Sequence, residues 1–252
     1  MGHKIVVLIP HYGELHYLEA CLASVKDLLD KPDEILIFDN TDSDVKIDTL
    51  TKFRLYGGGG NVGFTKAINL LMLESDATFY WVLNNDALVH PECLGSLLKT
   101  MNKYPKCGIV SSYIYDATHK DRICFTGGGD VLQGMHRIDV SDKPRRERWV
   151  TFCSVLIRAE MVEQIGRLDP NYFLVCSDSD YCYTARSRGW DILSDPKSIV
   201  YHHEEHGISR VHNIDPDMEL RKKMRGDQRY FIEKWIGSEL FRDLNLEVFP
   251  GE

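Results

Sequence analysis

The sequence predicts an α/β fold with a mostly parallel central sheet flanked by helices. Three observations predict it. Short apolar runs rich in Val, Ile, Leu and aromatic residues recur through the first half of the chain, as strands buried on both faces should. Between them lie stretches whose apolar residues repeat at helical spacing. Several runs end abruptly in polar residues, and in open α/β sheets ligands bind in the crevice outside the carboxyl ends of the strands.

Taken in order, Lys4 to Pro10 reads as a first, fully buried strand, and His11-Tyr12-Gly13 as a loop. Leu15, Leu18, Leu22, Val25 and Leu29 place a helix from about Glu14 to Asp30, closed off by Pro32. Glu34 to Phe38 is the second strand; it ends in Asp39-Asn40 and a polar loop, Thr41 to Asp44. Phe53 to Tyr56 is a short third strand, and Gly57 to Gly60 then break the chain. Phe64, Ala67, Ile68, Leu71 and Met72 mark the next helix. Ala77 to Leu83 is the fourth strand, aromatic and β-branched, and it ends in Asn84-Asn85-Asp86. Pro91 opens another helix in its first turn, and Cys107 to Ile114 is a fifth strand. Strands alternating with helices imply right-handed βαβ units.

From about Asp116 the pattern changes. Gly127 to Asp130 reads as a turn, Lys143 to Arg148 as a charged loop, and Trp149 to Ile157 as a strand. Met161 to Gly166 is a short helix with a glycine stop. Phe173 to Tyr181 opens a helix that ends near Gly189, and Ser198 to Tyr201 is an apolar stretch. Met218 to Trp235 is a charged helical stretch with sparse apolar positions, expected to pack as a C-terminal brace, with Lys222 to Arg225 as a solvated face.

Composition excludes several classes. A chain of 252 residues with 43% hydrophobic and 27% charged residues is ordinary for a globular protein. A net charge of −8 argues against a general nucleic-acid binder. No apolar run approaches the roughly 20 residues of a bilayer span, and the N-terminus leads straight into a strand, so a cytoplasmic protein without a signal peptide is expected. The seven cysteines lack C-x-x-C spacing, which fits reduced, core-packed thiols better than disulfides or zinc.

Three polar clusters should converge at one sheet edge: Pro10 to Glu14, Asp39-Asn40 and Asn84 to Asp86. That convergence suits a nucleotide: Asp39 can accept from a base N–H or a ribose hydroxyl, and the loop after Pro10 can line the base. Asp86 and the two amides before it suit a hard cation and phosphate oxygens; the plainer alternative is a strand-ending turn. The glycine run is not G-x-G-x-x-G and reads as a flexible turn. Asn61 and Gly63, at a helix start, can offer side-chain and backbone groups to a ligand. Asp178 opens a helix and is a candidate general base. Asp180 forms something close to a capping box with Ser177, which gives it a structural role. Tyr201 to His206 packs three imidazoles into five residues, one of which can complete a metal site with Asp86. The spacing is not H-E-x-x-H, so a metalloprotease is not indicated.

The ordered set is more specific than its parts. It comprises Ile9 to Glu14, Phe38 to Asp44, Gly60 to Asn69, Leu83 to Asp86, Val155 to Arg158, Ile165 to Asp169, Phe173 to Arg186, Val200 to His202 and Gly207 to Ser209. It resembles the inverting family 2 glycosyltransferases of the GT-A fold, particularly their rhamnosyltransferase-like branch. Tyr230 to Trp235 looks like that family's C-terminal helix.

The resemblance implies a GT-A domain over residues 1–212, with a nucleotide-binding half (1–116) and an acceptor and catalytic half (117–212), and a helical extension over 213–252. It implies that Asp39, with Asn40 beside it, contacts the donor's base or ribose, and that Pro10, Tyr12 and Glu14 line that pocket, with Asn61, Gly63 and Lys66 nearby. Asn84-Asn85-Asp86 stands in place of Asp-x-Asp, with Asp86 and His202 binding Mn²⁺ or Mg²⁺; His203 and His206 are alternatives to His202. Asp178 would be the catalytic base, with Asp180 as the alternative. Two departures are visible: Asn84 removes one negative charge, and Ser177 replaces an acid before the base. The implied reaction moves a sugar from a UDP- or dTDP-sugar to a hydroxyl of a glycan, polysaccharide precursor or glycolipid by one inverting displacement, without the two-carboxylate arrangement of retaining hydrolases. A lipid-linked acceptor would be met by peripheral membrane contact. The rivals are a catalytically degenerate nucleotide-sugar-binding subunit and a sugar-phosphate nucleotidyltransferase. The latter normally shows a basic Gly-rich loop after the first strand, where this chain has His11 to Leu15.

Overall fold

A computed structural model describes residues 2–41, 46–47, 52–129, 136–203 and 218–242. The first half alternates as the sequence predicts: β1 (Ile5–His11), α1 (Leu15–Lys26), β2 (Glu34–Asp39), β3 (Arg54–Gly57), α2 (Phe64–Leu73), β4 (Phe79–Leu83), β5 (Ala87–Val89), α3 (Cys93–Lys103) and β6 (Cys107–Asp116). β1, β2 and β4 are buried almost throughout, because helices cover them. Helix α1 stops at Lys26, short of Asp30, and leaves Leu29 70% exposed. Pro91 lies in the turn ahead of α3, whose N-cap is Glu92, so it is not a first-turn residue of the helix.

The second half contributes short strands β7 (Ile123–Phe125), β8 (Gly127–Gly128), β9 (His136–Arg137) and β10 (Arg145–Arg146). After them come β11 (Ser154–Arg158), α4 (Ala159–Ile165), α5 (Ser177–Ser187) and β12 (Asp191–His202). Helices α6 (Met218–Trp235) and α7 (Glu239–Arg242) close the described chain. The strand expected from Trp149 begins only at Ser154. Trp149 turns aside to meet β8: its carbonyl accepts from Gly128 N (3.0 Å) and its Nε1 donates to the Gly129 carbonyl (3.1 Å). Gly128 permits this approach, since a Cβ there would lie 2.4 Å from the indole.

The main sheet runs β10-β12-β6-β11-β4-β1-β2-β3, with β5 added to β12 and β7 to β6. β1, β2, β3 and β4 are mutually parallel, as are β6 and β12. β11 runs antiparallel to both β4 and β6 and joins the two parallel groups. β12 is longer than its apolar stretch suggests, because Pro196 sits inside a register break between Asp195 and Ile199. α3 packs over β6, β11 and β12.

A chain of polar bonds crosses this core. Trp81 Nε1 donates to Ser154 Oγ (3.0 Å), Ser154 bonds Ser112 (2.9 Å), Ser112 bonds Ser198 (2.8 Å), and Ser198 bonds Cys93 Sγ (3.0 Å). These buried hydroxyls satisfy one another and tie β4, β11, β6, β12 and α3 together. All seven cysteines are free thiols, and six are buried, as reduced core residues should be.

Leu156 is fully buried at the centre of β11, opposite Trp81 on one side and Val110 on the other. Leu156→Ala should cost about 2–5 kcal/mol of unfolding free energy, read as a lowered urea midpoint.

Candidate active site

The crevice is built where parallel strands end side by side. His11 and Asp39 are register partners at the ends of β1 and β2, and Asn40 N donates to the His11 carbonyl (2.8 Å). Pro10 pairs with Phe38 one step earlier. Asp39 is buried; its Oδ1 accepts from Thr41 N (2.8 Å) and its carbonyl from Gly58 N (2.9 Å). Gly57, at φ 91°, must be glycine, because a Cβ would stand 2.4 Å from the Asp39 carbonyl oxygen. Asn85 ties the end of β4 to the loop after β1: its Nδ2 donates to the Tyr12 carbonyl (3.2 Å) and lies 3.1 Å from His11 Nδ1. The three polar clusters therefore share one edge. His11, between Pro10 and Tyr12, is the buried residue of this loop that touches Asn85. Burial lowers its pKa, against the pull of Asp39.

The start of α2 is organised differently from the sequence expectation. Asn40 Oδ1 accepts from Val62 N (3.0 Å), Asn61 Oδ1 from Gly63 N (2.9 Å), and the Phe173 carbonyl from Phe64 N (2.8 Å). The backbone N–H groups of Val62, Gly63 and Phe64 are thus held by the protein itself. Helix starts leave such donors unsatisfied, and here two amide side chains and one distant carbonyl satisfy them. Lys66 is exposed in the first turn of α2. Glu14, expected to line the pocket, is 74% exposed at its side chain and pairs with His16 at 3.2 Å.

Asp86 and His202 are brought together across the fold. β5 pairs antiparallel with the end of β12, with His202 opposite Ala87. His202 Nε2 lies 3.0 Å from Asp86 Oδ1, and His203 N donates to the Asp86 carbonyl (3.2 Å). Burial raises the Asp86 pKa, but the facing imidazole outweighs it and holds the carboxyl below its ordinary range. Burial likewise lowers the His202 pKa, but Asp86 and the Cys153 side chain raise it well above the ordinary value. Among the described residues no group of three or more His, Cys, Asp and Glu side chains is placed to hold a metal ion. The pair of a carboxylate oxygen and an imidazole nitrogen still fits a hard divalent cation that takes its remaining ligands from phosphate oxygens and water. His206 and the loop from Asp42 to Asp44 lie outside the described residues. His203 stacks near Tyr17, with ring centroids 5.0 Å apart.

Asp178 stands half-buried in the first turn of α5, and its Oδ1 accepts from Ser179 N (2.7 Å). Burial raises its pKa, with the Ser179 N–H and the nearby His136 pulling it down less strongly. Asp180 has a different environment. It is 1% exposed and accepts from Tyr172 OH (3.0 Å), Trp235 Nε1 (2.7 Å) and Lys234 Nζ (3.0 Å). Capping does not explain it: the N-cap of α5 is Cys176, with no side-chain cap, and Ser177 Oγ turns back to the Leu174 carbonyl at 3.5 Å. The loop before Asp178 abuts the loop after β3, because Phe173 caps α2 and lies over Gly63.

A profile of glycosyl transferase family 2 matches residues 6–165, more than half of the chain. The chain belongs to glycosyl transferase family 2. It is 24% identical over 255 residues to the uncharacterized protein y4gI of Sinorhizobium fredii (strain NBRC 101917 / NGR234), an alignment covering 92% of this chain and 27% of that protein. The family 2 chain thus spans about a quarter of that relative's length. Its fold is GT-A. GalNAc-T7, solved with UDP, GalNAc and Mn²⁺, superposes with a TM-score of 0.66 over 79% of this chain and 44% of its own, at 14% identity. The mannosyltransferase PcManGT of Pyrobaculum calidifontis, solved with GDP-Man and Mn²⁺, superposes with a TM-score of 0.59 over 96% of this chain and 73% of its own, at 14% identity.

Gly63 has φ 89°, and a Cβ there would lie 2.5 Å from the Phe173 carbonyl oxygen. Gly63→Ala should cost about 1–3 kcal/mol through backbone strain alone, measured by urea unfolding, with the clash adding to it.

Proposed function

We propose that the protein is a metal-dependent inverting glycosyltransferase that moves a sugar from a nucleotide-diphosphate donor, a UDP- or dTDP-sugar, to a hydroxyl of a glycan, polysaccharide precursor or glycolipid. The observation that carries the reading is the separation of the two acids of α5. Asp180 is saturated by Tyr172, Lys234 and Trp235, while Asp178, on the segment whose Phe173 carbonyl caps α2, keeps a half-buried carboxylate whose pKa burial raises. The nucleotide would rest on the β1 and β2 ends, with Asp39, Tyr12 and Pro10 around the base and ribose and Asn84 and Asn85 towards the phosphates. The side-chain oxygens of Asn40 and Asn61 shape the loop that leads into α2.

Family membership and the GT-A fold support transfer chemistry, and both structural neighbours carry a nucleotide or nucleotide sugar together with Mn²⁺. Mn²⁺ or Mg²⁺ held by Asp86, His202 and the diphosphate would offset the charge of the departing nucleotide. Asp178 takes the proton of the acceptor hydroxyl as its oxygen attacks the anomeric carbon from the face opposite the leaving group. Burial makes that carboxylate a stronger base than an exposed one. One displacement inverts the centre, and no covalent enzyme intermediate forms. Asn84, in place of an acid, is the feature that favours the degenerate-subunit alternative, which binds donors without turning them over.

Two protein ligands make a weak cation site until a diphosphate adds its oxygens. In a thermal-shift series, Mn²⁺ alone should therefore stabilise little. Mn²⁺ with the matching nucleotide, at 100 times its dissociation constant, should add about 2.7 kcal/mol. No shift with UDP, dTDP, GDP or CDP would remove the donor-site assignment. Ligation needs His202 neutral, whereas Asp86 favours its imidazolium. Mn²⁺ binding by calorimetry should accordingly weaken as pH falls, by about tenfold per unit while one proton is displaced. Asp178→Asn should lower transfer by about 10²–10⁴-fold with donor binding retained; near-normal turnover would sink the base assignment.

A further inference from the structure

The buried positions of α6 recur at helical spacing: Leu220, Met224, Asp227, Phe231 and Trp235. One of the five is an acid, 3% exposed. A helix packed for stability alone has no use for a buried carboxylate, which is costly unless fully bonded. Asp227 is fully bonded, and all its recorded partners lie on one segment. Its Oδ1 accepts from Phe173 N (2.9 Å), and its Oδ2 accepts from Leu174 N (2.8 Å) and Val175 N (3.0 Å). Two turns further on, Trp235 Nε1 and Lys234 Nζ donate to Asp180. The helix therefore grips the chain at residues 173–175 and again at residue 180. Asp178 lies between the two grips.

The segment between them needs holding. Cys176 has φ 63° and is the one non-glycine residue at positive φ among the described residues. Such a conformation persists where the surroundings over-determine it. On its other side Phe173 gives its carbonyl to Phe64 N, and Lys223 of α6 sits over the Phe173 ring at 4.1 Å. Apolar contacts already dock the helix: Tyr172 meets Tyr230, and Tyr183 meets Phe231 and Trp235. The polar grips add direction to that docking.

We infer that Asp227 and Trp235 are positioning residues for Asp178, and that α6 serves as a splint fixing where the base carboxylate stands relative to the donor loop. The inference rests on reading Asp178 as the base. A base works only within hydrogen-bond reach of the proton it takes, and a displacement of about 1 Å can cost on the order of 100-fold in rate. Three consecutive backbone N–H groups on one carboxylate are charge-assisted bonds. An asparagine offers one acceptor oxygen and cannot hold all three.

The test needs no substrate. In the full chain, the Asp178 carboxyl is titrated by ¹³C NMR, its signal assigned by its loss in Asp178→Asn. Amide hydrogen exchange of residues 173–178 is followed in parallel. The groups facing this carboxyl are Ser179, His136, Cys176 and Cys182. In the wild type Asp178 should titrate above the ordinary carboxylate range. In Asp227→Asn, and separately in Trp235→Phe, which keeps an aromatic side chain but loses the indole N–H and one ring of the bicycle, water reaches the loosened turn. The titration should then move back towards the ordinary range. The amides of 173–178 should exchange at least about tenfold faster while those of β1 and β4 hold, since a local opening exposes only its own segment. Trp235→Phe decides the matter if Asp227→Asn does not fold. Wild-type titration and exchange in a folded variant would overturn the inference. Retained turnover in Asp178→Asn would instead remove the base assignment and leave the grip on the segment standing.

Discussion

The pairing of β11 with β4 on one side and β6 on the other is the constraint on which the rest depends. Five residues of β11 pair with β4 and three with β6. This single reversed strand fuses two parallel groups into one sheet. The carboxyl ends of β1, β2 and β4 and the far end of β12 then share one rigid frame. Asp86, on the turn after β4, and His202, at the end of β12, are then joined twice: through this frame and directly, by the pairing of β5 with β12. The serine chain from Trp81 to Cys93 runs through the same junction. It aligns the strands with bonds that have direction, where apolar packing alone has none.

Two carboxylates of α5, two residues apart, show how environment divides roles. Asp180 points into the core and meets a phenol, an indole and an ammonium. Asp178 bonds its own turn and loses solvation without gaining a strong cationic partner. The same residue type becomes an anchor in one place and a carboxyl of raised pKa in the other. Opposite effects act at Asp86 and His202, where two buried groups each sustain the charge of the other. Both arrangements use desolvation, and the sign of the result is set by what faces the group.

The C-terminal helix links these parts. Its acid and its tryptophan reach the segment that carries Asp178, and that segment in turn caps α2 through Phe173. A chain of backbone and side-chain hydrogen bonds thus runs from α6 to the loop that leads into α2. Each bond in it has a named donor and acceptor.

The sequence by itself determined the order of elements, since apolar period and strand length are local properties. β1, β2, β4 and β6 and helix α6 lie close to where the pattern puts them, and the strand-end clusters do converge. The stripe of α6 is also legible, and Asp227 stands out within it as the one acid at a position of the buried period. Tertiary structure alone decided what depends on partners far along the chain. It reversed β11, which no local pattern encodes. It turned Trp149 out of the strand to meet Gly128. It bonded the N–H groups of Val62, Gly63 and Phe64 to Asn40, Asn61 and Phe173, left Glu14 exposed, and replaced a capping role for Asp180 with an anchor to Tyr172, Lys234 and Trp235. Hydrophobic periodicity reports which face of an element is buried, whereas the fate of a polar side chain is fixed by the groups that folding brings opposite it.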